Sequence, residues 1–172
     1  MKKCVFFDRD GVVNVSPPEG YIERWADFSL MPGFSGVLRT VIERGYEAVI
    51  VTNQRGVALE VMSMSAVDDI HRRLRDLLLR EYGLELLDIM TCPHDRGECS
   101  CRKPLPGMLV EAADRHGIDL SLSWMVGDQP RDIEAGRRAG CRTIAFSADG
   151  SVNADYQVTG MKELETLFAK VL

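Results

Sequence analysis

The sequence has no apolar run near the ~20 residues that a membrane-crossing helix requires. Its opening stretch, Cys4-Val5-Phe6-Phe7, stops at Asp8 after four residues. That is too short for the apolar core of a secretory signal, so a cytoplasmic protein with no membrane partner is expected. A basic excess is also missing: 21 Lys and Arg stand against 26 Asp and Glu, for a net charge of −5. A duplex-binding surface needs cations to displace condensed counterions, so nucleic acid is not an expected partner. There is no internal repeat, low-complexity tract or long linker. The five cysteines are an odd number, which in a cytosolic chain argues against a disulfide framework. What remains is ordinary for a globular protein: 172 residues, 45% hydrophobic and 27% charged. That composition excludes disorder, collagen and coiled coil. The length suits one domain, residues 1–172, expected to act as a monomer.

Short β-branched or aromatic runs alternate with longer amphipathic ones. Residues 4–7, 48–51, 88–91, 124–126 and 143–146 read as buried parallel strands. Helical patterns lie between them, over 32–44, from Ser65 to Gly83, and over 108–116, 130–139 and 161–171. Ser65 with Asp68 resembles a capping box, and Gly45, Gly83, Gly117 and Gly140 stand where helices end. This alternation predicts βαβ units: a three-layer α/β fold, a parallel central sheet with helices on both faces. In such sheets ligands bind beyond the carboxyl ends of the strands.

Those ends carry the chemistry. After the first strand come Asp8-Arg9-Asp10-Gly11-Val12-Val13-Asn14, and after the second Thr52-Asn53-Gln54-Arg55-Gly56. Arg102-Lys103-Pro104 follow the third strand and its loop, and Gly127-Asp128-Gln129-Pro130-Arg131-Asp132 follow the fourth. Two carboxylates two residues apart repel unless a cation or a reacting group lies between them. Taken singly, each piece also has a plain reading: Asp-x-Asp-Gly occurs in calcium loops, and Thr-Asn is a common turn. Together they fit phosphoryl transfer. A carboxylate can attack phosphorus, Mg²⁺ takes carboxylate and phosphate oxygens, and fixed cations and donors stabilise the equatorial oxygens. A second carboxyl can serve as acid and then base.

The set resembles the haloacid dehalogenase-like (HAD) phosphatases over nearly the whole chain. That resemblance implies Asp8 as nucleophile and Asp10 as general acid/base with its carbonyl on Mg²⁺. It implies Thr52 and Asn53 on the phosphate, and Lys103 neutralising the phosphate and orienting Asp8. Asp128 would be a further Mg²⁺ ligand, with Asp132 supporting that metal from behind. The second carboxylate, Asp10, favours a phosphatase over a dehalogenase.

The segment 92–101 holds Cys92, His94, Cys99 and Cys101 within ten positions. A Cys₃His set is a closed structural Zn²⁺ site, and the ion would stiffen a loop with no core of its own. It would also fix Arg102 and Lys103 beside the phosphate. Asp8 to Asn14, Gly20-Tyr21-Ile22, Thr52-Asn53-Gln54 and the run Cys92 to Met108 together resemble the D-glycero-D-manno-heptose 1,7-bisphosphate phosphatases. Histidinol-phosphate phosphatases share much of the pattern. The resemblance implies a small phosphorylated sugar as substrate, with histidinol phosphate or another small ester as the alternative; a non-enzymatic zinc module is the reading from a different class. Only four residues separate His94 from Cys99, Gln129 stands where a Lys is frequent, and Leu59-Glu60 replace Arg-Gly.

The segments 14–32 and 55–64 are too short for a folded cap, so an open site without a cap domain is expected. Asn14, Arg55 and Arg102 are expected to face the substrate, since a guanidinium grips phosphate in a bidentate manner. His71 and His116 are expected at the surface or in caps, and Arg72, Arg73 and Arg75 on a solvated helix face.

Overall fold

The runs 4–7 and 124–127 are buried throughout, so each must pair with neighbours on both edges and be covered on both faces. The computed structural model describes residues 1–147 and 152–172. Its strands are β1 (Cys4–Phe7), β2 (Glu47–Asn53), β3 (Asp88–Cys92), β4 (Trp124–Gly127), β5 (Arg142–Phe146) and β6 (Tyr156–Val158). They form one sheet in the order β3-β2-β1-β4-β5-β6, every pair parallel. The helices are α1 (Phe34–Glu43), α2 (Met64–Tyr82), α3 (Gly107–His116), α4 (Pro130–Ala139) and α5 (Met161–Val171).

Alternation along β1 divides the core. Val5 and Phe7 point to one face, with Phe34, Val37 and Leu38 of α1 and Leu164 and Phe168 of α5. Cys4 and Phe6 point to the other, with Met108, Leu109 and Ala112 of α3 and Ala135 of α4. Phe7 meets Phe34 and Phe168 edge-on, with ring centroids 5.3 and 6.4 Å apart. Such pairs add about 0.5–1.5 kcal/mol each beyond the area they bury.

Three sequence expectations change. Thr52 and Asn53 are the last residues of β2 rather than a turn after it, because β3 pairs with them at Thr91 and Cys92. The helix cap is Ser63, not Ser65: the Ser63 backbone is extended and its Oγ accepts from Ala66 N–H at 3.1 Å. Strand β6 was not foreseen; its three residues sit at the sheet edge, too short to show an alternating pattern.

The segment between β1 and α1 carries one three-residue helical turn, Trp25–Asp27, and 54–63 holds only turns and bends. No helix among the described residues is long and apolar enough to cross a membrane.

Candidate active site and cysteine loop

The strand order reverses between β1 and β4, which opens a crevice at their carboxyl ends. Asp8 follows β1 and Asp128 follows β4, so topology alone puts their carboxylates together. Two glycines permit the approach. A Cβ on Gly11, whose φ is +93°, would overlap the Asp128 carboxylate, and a Cβ on Gly127 would overlap Asp132.

Lys103 lies at the centre, 2% exposed. Its Nζ donates to Asp8 Oδ1 at 2.6 Å and to the Val51 carbonyl at 2.8 Å, and pairs with Asp132 Oδ1 at 2.8 Å. Burial disfavours its charge, but Asp132 and Asp8 outweigh that and raise its pKa. Asp132 is fully buried in the first turn of α4 and also accepts from the Gln129 N–H at 3.0 Å. The Asp8 carboxyl is pushed up to about 7, chiefly by burial and then by Asp132, against the pull of Lys103. Burial also raises Asp128. One oxygen each of Asp8, Asp128 and Asp132 lies within 4.8 Å of the others. Three carboxylates against one ammonium leave two negative charges, which a divalent cation would neutralise. Asp128 Oδ1 is buried without a hydrogen-bond partner, as an oxygen kept for a cation would be. The donor set thus fits Mg²⁺, which prefers oxygen ligands.

Asp10 stands apart from that cluster in a cage of its own. The fully buried Arg9 grips it through Nε and Nη2 at 3.0–3.2 Å. Asn14 Nδ2 donates to it at 2.9 Å and Gln54 Nε2 at 3.3 Å. Asn14 was expected at the substrate; instead it is fully buried, with its amide engaged by Asp10 and the Val15 carbonyl. His71 was expected at the surface, yet α2 buries it against Arg9, Nη1 to Nε2 3.1 Å. Burial, then Arg9, drives its pKa down to about 3, so the ring is neutral. Arg9, Gln54 and His71 were missed as site residues. Charge spacing along a strand end does not reveal an arginine folded inward.

Thr52 is buried with its Oγ accepting from Gln54 at 2.7 Å, which leaves its own hydroxyl proton to donate. The Asn53 amide makes paired 3.1 Å bonds with the backbone of Lys103. It fixes the lysine as well as lining the cavity.

The cysteine loop starts at Cys92, the buried end of β3. Cys92 Sγ lies 3.7 Å from His94 Nδ1 and 3.5 Å from Cys99 Sγ. Cys101 Sγ lies 3.3 Å from both His94 Nδ1 and Cys99 Sγ. Disulfide sulfurs sit at ~2.05 Å, so these thiols are free. Ligands ~2.3 Å from one zinc sit ~3.7 Å apart along a tetrahedron's edges, close to the spacing found. Burial and mutual contact push Cys92 and Cys101 up, while hydrogen bonds from Cys101 and the loop backbone outweigh burial at Cys99 and bring it down to about 7.

Above the carboxylates lies a cavity of about 320 Å³ whose walls include Asp10, Tyr21, Asn53, Arg55, Arg102 and Asp128. Arg55 is tied to Asp95 by bonds of 2.5 and 3.2 Å. A larger groove of about 480 Å³, between α2 and α3, lies away from this cluster and includes neither Asp8, Asp128 nor Lys103.

A HAD-hydrolase-like family model matches residues 100–159. The chain is 34% identical to the D-glycero-beta-D-manno-heptose-1,7-bisphosphate 7-phosphatase of Haemophilus ducreyi, across 95% of this chain and 96% of that one. It is 38% identical to the D-glycero-D-manno-heptose-1,7-bisphosphate 7-phosphatase of Thermosynechococcus vestitus, across 83% and 78%. The solved D,D-heptose 1,7-bisphosphate phosphatase from B. bronchiseptica, complexed with magnesium and phosphate, is similar with a TM-score of 0.86 and 27% identity, covering 96% of this chain and 97% of that one. With this sheet order, a carboxylate cluster at the switch point and relatives of this similarity over nearly its full length, the chain is an enzyme of the HAD superfamily and belongs to the family of the heptose-bisphosphate phosphatases.

Proposed function

We propose that this protein removes the C7 phosphate of a D-glycero-D-manno-heptose 1,7-bisphosphate through a phosphoenzyme on Asp8. The observation that supports it most is the pairing of Asp8 Oδ1 with Lys103 at 2.6 Å, which leaves the other Asp8 oxygen without a hydrogen bond. That oxygen attacks phosphorus and the bond from phosphorus to the sugar oxygen breaks. Asp10 gives its proton to the departing alkoxide. Its carboxylate then takes a proton from water, which attacks the phosphorus of the acyl phosphate and frees Asp8 and inorganic phosphate. Lys103, the Thr52 hydroxyl and the amide of Asn53 meet the negative charge that builds on the equatorial oxygens. Mg²⁺, when bound by Asp8, Asp128 and the Asp10 carbonyl, supplies charge neutralisation and orientation of the phosphate. Asp132 acts from behind by holding Lys103.

Zn²⁺ on Cys92, His94, Cys99 and Cys101 is structural in this reading. All four places would be filled by protein, so the ion would hold Arg102 and Lys103, which follow the last ligand directly. Arg102 reaches toward the unreacted phosphate, with Arg55 beside it. Residues 1–172 act as one catalytic domain. A phosphate-release screen over heptose 1,7-bisphosphate, histidinol phosphate and simple sugar monophosphates tests the proposal. It expects Mg²⁺-dependent release that is fastest with the heptose. Preference for histidinol phosphate would replace the substrate assignment.

A further inference from the structure

Three arginines stand between the cysteine loop and the inner carboxylates: Arg96 and Arg102 on the loop and Arg131 on α4. All three line both the 320 Å³ cavity over Asp10 and Asp128 and an adjoining cavity of about 370 Å³ against Lys103. None of them has an ion-pair partner among the described residues. Other guanidiniums without an ion pair, such as Arg39, Arg44 and Arg137, donate to backbone carbonyls far from this opening, and Arg142 stacks on Trp124, while Arg55, Arg73, Arg115 and Arg138 pair with Asp95, Asp69, Glu111 and Glu134. In a chain with five net negative charges, three guanidiniums converge on one opening with no carboxylate in ion-pair contact, Arg102 donating only to the His94 carbonyl at 3.4 Å.

Arg131 is the least expected of them. It is the second residue of α4, directly after Pro130. Free backbone N–H groups and the helix dipole make that end positive, and a cation there is disfavoured. The side chain is exposed, so no burial holds it in place. No carboxylate among the described residues pairs with it; an anion arriving from outside would. Guanidiniums from two separate elements offer more donors than a carboxylate can accept, whereas a terminal phosphate has three acceptor oxygens.

We propose that Arg131, with Arg96, completes a subsite for the phosphate that is not cleaved, and so sets a preference for sugar bisphosphates over monophosphates. This rests on the phosphatase reading above and deepens it, because that end was assigned only to Arg102 with Arg55 beside it.

The test uses the full chain with Mg²⁺, heptose 1,7-bisphosphate and the matched heptose 7-phosphate. Wild type is expected to prefer the bisphosphate at least tenfold in kcat/KM. Arg131→Gln is expected to raise KM for the bisphosphate about tenfold or more, with kcat and both constants for the monophosphate within twofold. That change corresponds to about one lost charged contact. Arg131→Lys should recover part of the loss. The thermal midpoint of Arg131→Gln should equal or exceed that of wild type, which separates binding from folding. Unchanged constants on both substrates, or an equal loss on both, would overturn the subsite and leave the phosphatase standing. A wild type without preference would overturn both the subsite and the bisphosphate assignment. A wild type that hydrolyses neither would overturn the proposed function itself.

Discussion

The floor of the site and its rim are built on opposite principles. On the floor, Lys103, Asp8 and Asp132 are almost wholly buried and each is held by at least one charged partner. On the rim, Arg96 and Arg131 are exposed and have no ion-pair partner among the described residues. A buried charge must be partnered within the fold, so the floor is preorganised for one reaction whatever molecule arrives. An exposed cation is already stabilised by water and takes a partner only when an anion reaches it. On the proposed reading, the chemistry resides where side chains are over-determined, and the choice of substrate where they are free. Changes on the floor should alter turnover or folding, and changes on the rim should alter KM.

The strongest challenge to this division is Asp8→Asn, which removes the oxygen proposed to attack phosphorus and keeps the shape. Phosphate release with Mg²⁺ should fall by on the order of 10⁴-fold or more, measured by steady-state assay; a fall below tenfold would place the nucleophile elsewhere. Next is Lys103→Met, which leaves Asp8 and Asp132 buried without their cation. The loss should be about 3–5 kcal/mol in urea unfolding, along with activity. A variant as stable as wild type would show that the floor network is not what holds this region. Cys99→Ser should lower bound zinc from about one equivalent to well below half and reduce kcat roughly tenfold or more, because Lys103 loses the frame of the loop. Full zinc occupancy with unchanged kcat would disconnect the loop from the floor.

His71 gives a smaller and pH-dependent effect. Its folded pKa of about 3 lies below the ordinary histidine value of 6.5, so the unfolded chain takes up the proton that the folded chain refuses. Its contribution is intact above about pH 6.5 and is lost as pH falls toward 3. Arg9, Asp10 and Arg75 are the charges that act on the ring. His71→Gln keeps an acceptor for Arg9. The difference between the urea midpoints of wild type and variant should widen in the variant's favour as pH drops from 6.5 to 4. A constant difference would show that His71 shares no such linkage. Smallest of all is Asp69→Asn on the exposed face of α2, which breaks pairs with Arg72 and Arg73. Its urea midpoint should match that of wild type, because solvent screens exposed pairs; a clear drop would show that this face of α2 matters to the fold.

Much of the floor was legible in the sequence because it lies at strand ends. Buried runs betray parallel strands, and the residue after each run must sit at the carboxyl edge. Asp8, Thr52 and Asp128 follow from that, and the cysteine set from its spacing. Tertiary packing decided the rest. Arg9 and His71 are polar residues on otherwise solvated patterns, and they turn inward because each supplies the other's hydrogen bond. Asn14 reads as a loop amide, yet the tight turn on the Arg9 carbonyl folds it back under Asp10. Strand β6 needs β5 to exist, since three residues alone carry no period.

The measurement that bears most directly on the account is the site of the covalent intermediate. Full-length protein with Mg²⁺ and heptose 1,7-bisphosphate is quenched within a single turnover and reduced with borohydride, which converts an aspartyl phosphate to homoserine. Peptide mass spectrometry should find homoserine at position 8, dependent on substrate and on Mg²⁺, and aspartate unchanged at positions 10, 128 and 132. Turnover without any modified residue, or modification at one of those other aspartates, would contradict the assignment of Asp8 as the attacking group.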